Sequence, residues 1–249
     1  MYQRAKQLKL PFMAGSSLPV SYRTPEMPIP LNAKIEAAVG IGYDGLDIYG
    51  SHALDSLQSI IERRRRVNTG VTWVQLLEGD AVDRVFSEGL VSYDLFKAAL
   101  DVVPKVQGNI SPAIAPQRSV ILFMCEDGFL GAQFMLQSVN RTSVAVKLKG
   151  QNTPVATQFE ERTDPRHPHF AYLTKAIERM IHTGKPAYPV ERAVLTSGIL
   201  DRAIRSWHEN GNRIYTPELS IQYKPIDYPH APLPSLTSDP NIPIQQLIK

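Results

Sequence analysis

Ser119-Val-Ile-Leu-Phe-Met-Cys-Glu126, then Asp127-Gly128, then Phe129-Leu-Gly-Ala-Gln-Phe-Met-Leu136 is the stretch on which the fold turns. Two apolar runs of strand length flank a dipeptide that accepts the positive φ of a tight turn, so the segment predicts an antiparallel hairpin. Downstream, Val144, Val146 and Leu148 alternate with Ala145, Lys147 and Lys149, the two-residue period of a half-exposed strand. Upstream, Val71-Thr-Trp-Val-Gln-Leu-Leu77 follows Gly70 and reads as one more strand. Only a helical patch at Tyr93–Leu100 and a Pro-, Gly- and Asn-rich loop (104–117) intervene. Strands joined by turns rather than by long helical crossovers favour antiparallel pairing.

Helices flank this block. Ala53, Leu54, Leu57, Ile60 and Ile61 form one stripe of a helix starting at Ser51, with His52, Asp55, Ser56, Ser59 and Arg63 opposite and Arg63-Arg-Arg-Arg66 at its end, where cations complement the helix dipole. Phe170, Leu173, Ile177, Met180 and Ile181 mark a second helix, stopped at Gly184. Pro189 opens a third, striped by Val190, Val194, Leu195, Ile199, Ala203, Ile204 and Trp207 and ended by Asn210-Gly211. Ile214–Leu219 adds a short strand. Prolines 19, 25, 28 and 30 make residues 19–31 an extended connector, and six prolines beyond Lys224 leave a tail that is disordered or an extended arm. At the other end, Met1–Leu10 reads as a basic amphipathic helix and Pro11–Gly15 as a short strand with nothing of their own to pack on. The fold class expected is α+β: an open, mainly antiparallel sheet with helices packed on one side.

Composition excludes several function classes. With 43% hydrophobic and 20% charged residues the chain is globular rather than disordered. Lys plus Arg is 27 against Asp plus Glu 24, a net charge of +3, too small for a nucleic-acid partner. The single cysteine, Cys125, rules out a disulfide framework and a cysteine-based metal site and is expected to pack as a small hydrophobe. No apolar run approaches the ~20 residues that span a bilayer, and no signal peptide is visible, so the expected location is the cytoplasm, with no membrane partner.

Gly40-Ile-Gly42-Tyr-Asp-Gly45 is formally a G-x-G-x-x-G. The dinucleotide fingerprint needs a buried strand before its first glycine, where only Ala37-Ala38-Val39 stands, and its acidic residue after the second strand, whereas Glu62 ends the helix. The glycines are therefore read as a turn. Arg63–Arg66 reads as a solvated helix terminus rather than a phosphate clamp. His167-Pro-His169 lacks a third ligand nearby, so no metal is expected. His52 differs: placed near a helix N-terminus, which disfavours an imidazolium, it is either a base or a capping histidine.

Several segments together resemble the Gfo/Idh/MocA family of nicotinamide-dependent sugar oxidoreductases. Tyr188-Pro-Val-Glu-Arg-Ala-Val-Leu-Thr-Ser-Gly198 and Gly211-Asn-Arg-Ile-Tyr-Thr-Pro217 are similar to the end of the family's second domain. Gly50-Ser-His-Ala-Leu-Asp55 resembles its glycine-x-histidine helix, and Leu10-Pro-Phe-Met-Ala-Gly-Ser-Ser-Leu-Pro19 resembles the last strand of its cofactor domain and the exit from it. The resemblance implies a Rossmann remnant at 1–20, a C-terminal α+β domain at 21–223 and a Pro-rich tail at 224–249. It implies that the glycine-rich phosphate loop lies upstream of Met1, so the complete protein uses NAD or NADP while this chain alone holds neither tightly and is inactive by itself. His52 matches the family histidine that helps deprotonate a substrate hydroxyl. Asp55 matches an acidic position that would orient it, and Tyr49 and Asp47 fall beside it as pocket residues. Ile48 stands where the family often has aspartate, and the Glu-Lys-Pro motif does not occur. A small sugar-like or polyol substrate and a homo-oligomer built through the sheet are implied partners. The alternative is a non-catalytic binding or assembly module whose sheet is a dimer face.

Overall fold

A computed structural model describes residues 2–104, 118–161, 167 and 169–231. The elements are α1 (Tyr2–Gln7), β1 (Arg23–Thr24), β2 (Ile35–Tyr43), α2 (Leu46–Ile61), β3 (Val71–Glu78), α3 (Ala81–Ser87), α4 (Tyr93–Asp101), β4 (Arg118–Cys125), β5 (Leu130–Leu136), β6 (Thr142–Leu148), β7 (Val155–Phe159), α5 (His169–Thr183), α6 (Val190–His208) and β8 (Ile214–Tyr215). The strands form one eight-stranded sheet in the order β1-β7-β6-β2-β5-β4-β3-β8. The architecture is α+β. Every pairing is antiparallel except β2 with β5.

The expected hairpin is β4–β5, closed at Gly128 with φ 83° and a Gly128 N–H to Cys125 carbonyl bond of 2.9 Å. Cys125 is buried, as a small hydrophobe would be. Phe123 lies opposite Gly131, its ring occupying the place a side chain there would take: a Cβ on Gly131 would stand 2.2 Å from the ring. Gly131→Ala should therefore destabilise by about 1–3 kcal/mol through overpacking, measured as a lower urea midpoint at constant slope; an unchanged midpoint would mean that Phe123 relaxes freely.

The central strand β2 was not expected, because its Gly40 and Gly42 read as a turn. They sit mid-strand instead, where a Cβ would strike the Gln133 amide on β5 (2.1 Å) or Ala53 of α2 (2.6 Å). Close approach of neighbouring elements, not a turn, requires these glycines. Only Gly45 lies outside the strand, as N-cap of α2, after Asp44 at φ 60° reverses the chain. Strand β7 is a further addition to the expected set.

The expected helices, α2 and α6, cover one face: Leu54, Leu57, Ile60, Ile61, Leu195, Ile199 and Ala203 pack on Val74, Leu76, Ile121, Phe123, Val144 and Val146. The opposite face carries a second layer, with Val82, Val85, Leu95 and Ala99 of α3 and α4 on Val39, Ile41, Val120, Leu122, Phe134 and Ala145. That layer explains why β6 is buried on both faces at Val144, Ala145 and Val146 rather than half-exposed.

Residues 11–15 pair with no strand and run extended into the helix-like turn Leu18–Val20. The first residues of the Pro-rich tail form an arm, with the Ala231 N–H donating to the Val20 carbonyl at 3.0 Å and Tyr228 joining the cluster of Val20, Ala176, Ala187 and Tyr188. The loop beyond Pro104 up to Gln117, and the tail from Pro232, lie outside the described residues. No described helix is long and apolar enough to cross a membrane.

Candidate functional site

The site is built where β2 hands over to α2. That helix starts at Leu46, five residues earlier than its stripe suggested, so His52 stands in the second turn and the dipole argument made for it does not reach that far. Asp47 takes the first-turn position instead. The polar side of α2 is buried as well, because residues 15–22, the start of α6 and the segment at Tyr223 pack over it. Burying polar groups requires partners, and they are present: the Ser56 hydroxyl donates to the His52 carbonyl (2.9 Å), the Ser59 hydroxyl to the Ser56 carbonyl (2.7 Å), and the Gln58 amide to the Tyr223 hydroxyl (2.6 Å).

His52 itself is exposed, and its Nδ1 lies 2.8 Å from the Ser16 Oγ. The same Oγ accepts the Leu18 N–H at 3.1 Å. Asp55 does not touch His52. Its Oδ2 accepts the Ser16 N–H at 2.7 Å, so it fixes the loop that carries the serine, which in turn meets the imidazole. Gly15, at φ 126°, makes this approach possible, since a Cβ there would lie 2.6 Å from Asp55 Oδ2. Burial pushes the Asp55 carboxyl up to about 6; Arg192 and the Ser16 N–H pull it back, and Glu62 adds to the rise.

Tyr49 belongs to the same patch, its ring 6.3 Å from His52 and 4.4 Å from Tyr43. The Tyr43 hydroxyl donates to Glu161, and burial followed by that carboxylate raises its pKa. Asp47 and Ile48 are exposed, and no hydrogen bond or ion pair joins Asp47 to His52 among the described residues. The structure thus brings together His52, Tyr49 and, through Ser16, Asp55, and leaves Asp47 apart. Ser16, Tyr43 and Glu161 are new members. Ser16 carried a signal, the glycine before it in a segment already singled out; Tyr43 and Glu161, 118 residues apart, carried none.

A cavity of about 590 Å³ lies elsewhere, at the Ile35 end of β2. It contains two of the four arginines expected to be solvated. Arg64 pairs with Asp127 at 2.9 Å and stacks 4.5 Å over Phe129, and Arg65 meets the same aspartate at 2.8 Å. Arg63 bonds the Ile29 carbonyl and Asp227. The run therefore clamps the end of α2 to three other segments; of the four arginines only Arg65 and Arg66 are exposed.

No protein-family model matches this chain, and no curated protein does. Among solved structures, GenD2 from gentamicin A biosynthesis in complex with NAD aligns with 73% of this chain and 55% of its own at 11% identity, with a TM-score of 0.44. A putative NADPH-dependent oxidoreductase from Desulfitobacterium hafniense DCB-2 aligns with 88% of this chain and 68% of its own at 11% identity, with a TM-score of 0.47. The WlbA dehydrogenase from Bordetella pertussis, in complex with NADH and UDP-GlcNAcA, covers 74% of this chain and 55% of its own at 12% identity, with a TM-score of 0.41. The chain spans 55% of the length of the first of these. Two of these three structures are named as a dehydrogenase and a putative oxidoreductase, and two of them hold NAD or NADH.

Proposed function

We propose that this chain is the substrate-binding and oligomerisation part of an NAD(P)-dependent dehydrogenase for a sugar-like or polyol substrate, with His52 as the base. The observation that carries the reading is the contact between His52 Nδ1 and Ser16 Oγ at 2.8 Å on an otherwise exposed ring. With the Nδ1–H donating to that oxygen, Nε2 keeps its lone pair and faces outward. A substrate hydroxyl within hydrogen-bond reach would give its proton to Nε2, and the resulting imidazolium would be held by the serine oxygen. Asp55 is a positioning residue, fixing Ser16 through the backbone. Tyr49 and Tyr43 offer an aromatic wall on which the apolar face of a sugar ring can lie.

The Gly40–Gly45 stretch does not serve as a dinucleotide cradle in this reading, because Gly40 and Gly42 are locked within β2 and Gly45 caps α2 beside the Asp47 carboxylate, which repels phosphate. NAD or NADP belongs to the reading of the complete protein, and this chain supplies the proton acceptor and the substrate wall.

The test uses the longest form that the gene encodes, assayed for reduction of NAD or NADP by cyclic polyols and hexoses. Turnover that falls by about 10²–10⁴-fold in His52→Ala at similar KM supports the reading. Absence of turnover with every substrate, or an active His52→Ala, overturns it. The exposed Ile48, 60% accessible beside the site, favours the non-catalytic binding module instead; polyol binding without turnover would support that second reading.

A further inference from the structure

Arg23, on edge strand β1, is buried at 8% exposure yet has no ion-pair partner among the described residues. Its Nη2 donates to the Pro19 carbonyl at 3.3 Å, its guanidinium lies 5.4 Å from the Phe159 ring, and its Nε has no partner at all. Glu26, the one carboxylate acting on it, is exposed and makes no contact with it. A buried cation without a carboxylate is unfavourable by several kcal/mol unless something else neutralises it.

Further cations surround it. Arg63, with a side chain only 15% exposed, lines the same space and pairs with Asp227, a 67% exposed carboxylate that also lines it and that an anion would have to displace from Arg63. Arg192 lies close enough to act on Arg23, but its charge is already matched by Glu62 at 2.6 Å. Burial and the charges of Arg63 and Arg192 push Arg23 down to about 9, so it stays charged at neutral pH. His230 completes the ring of nitrogen groups, held down to about 4 by burial and then by Arg23 and Arg63. Between these side chains is a cavity of about 270 Å³ whose walls are Pro28, Ile29, Pro30 and the 227–230 arm. The arm is pinned by the Ala231–Val20 backbone bond and by Tyr228 under the Arg179 guanidinium at 5.2 Å, so the cavity is formed in advance of any ligand.

We propose that this cavity is a phosphate-binding site, in which Arg23 and Arg63 grip the anion and His230 closes over it. The guanidinium fork matches phosphate oxygens, and Arg23, which lines the cavity, has no ion-pair partner among the described residues. The space exceeds what a bare phosphate ion needs, so the phosphate of a small monoester also fits. The site is independent of His52 and of the dehydrogenase reading.

The experiment titrates the whole chain with inorganic phosphate and, separately, with glucose 6-phosphate, at ionic strength kept constant with sodium chloride. Binding is read by calorimetry and by the ring-proton shifts of His230. The expected result is saturable binding with a midpoint below about 1 mM, together with a His230 titration that moves upward by about one unit or more as the anion stabilises the imidazolium. Arg63→Gln and His230→Gln, both on the rim, should each weaken binding by about tenfold or more, equivalent to ~1.4 kcal/mol, with the unfolding midpoint in phosphate-free buffer reporting that the fold persists. Tighter binding of glucose 6-phosphate points to a phosphorylated metabolite; binding of inorganic phosphate alone points to the free ion. No saturable binding of either, with His230 unmoved, overturns the proposal, as does an Arg63→Gln chain that binds as the parent does.

Discussion

Glu62→Ala is expected to destabilise the chain by about 3–5 kcal/mol, the typical effect of removing one partner of a buried ion pair. Glu62 and Arg192 are both nearly inaccessible and meet through two bonds, 2.9 Å from Nε and 2.6 Å from Nη2. The Tyr223 hydroxyl donates to Glu62 at 3.0 Å and accepts from Gln58, so the carboxylate organises a network joining α2, α6 and the segment after β8. Its removal would leave Arg192 charged and buried, with Asp55, which makes no hydrogen bond to it, as the remaining carboxylate acting on it and Nη1 already without a partner. Urea unfolding would report a lower midpoint at similar slope. The double variant Glu62→Leu with Arg192→Met should lose less than Glu62→Ala, because no charge is then stranded. A Glu62→Ala chain within about 1 kcal/mol of the parent would mean that Arg192 reaches solvent, contrary to its burial.

The second large effect is a pH dependence. Asp55 is fully buried and its carboxyl is raised from 3.8 to about 6, with burial the leading cause. A carboxyl whose pKa is higher in the folded state favours folding below its unfolded pKa, and that contribution is lost as pH rises through the folded value. The Asp55 contribution should thus fall between about pH 4 and pH 6 by roughly 3 kcal/mol, at ~1.36 kcal/mol per pK unit, and is read in a His230→Gln background. Asp55→Asn keeps an acceptor for the Ser16 N–H and removes the titration, so its stability should lack this downward slope. His230 acts with the opposite sign: its folded pKa is depressed to about 4, so its contribution is present at neutral pH and lost as pH falls. Asp55→Asn in a His230→Gln background separates the two, and an unaltered slope would place the titration elsewhere.

The parts of the fold that could be read in the chain are those in which local pattern and tertiary environment agree. The β4–β5 hairpin carries its own turn dipeptide and α6 its stripe and glycine stop, so each was legible within about 15–20 residues; α5 was legible as a helix, although Phe170, Ile177 and Ile181 of its stripe are exposed. β2 was not, because its two glycines mimic a turn and are explained only by Gln133, Met135 and Ala53 from other elements. The second helical layer was missed because α3 and α4 are short and their stripes gain meaning only against Val120, Leu122 and Phe134. The polar side of α2 looked solvated because nothing local indicates that residues 15–22 and Tyr223 lie over it.

The candidate site divides in the same way. His52, Asp55 and Tyr49 are near neighbours on one helix, so a short motif could nominate all three, and Asp47 was nominated by the same proximity although it points to no partner among them. Ser16 mediates between His52 and Asp55 from 36 and 39 residues away, and no spacing rule connects it to either. The chain's own order of residues therefore determined the class of fold, the hairpin at its centre and the helix bearing the histidine, all products of short-range periodicity and turn preference. The three-dimensional packing decided which polar groups are buried, that Asp55 acts through Ser16, and that Arg23, Arg63 and His230 meet. Those outcomes depend on contacts between distant segments and on charge taken out of water, which no local stretch of sequence encodes.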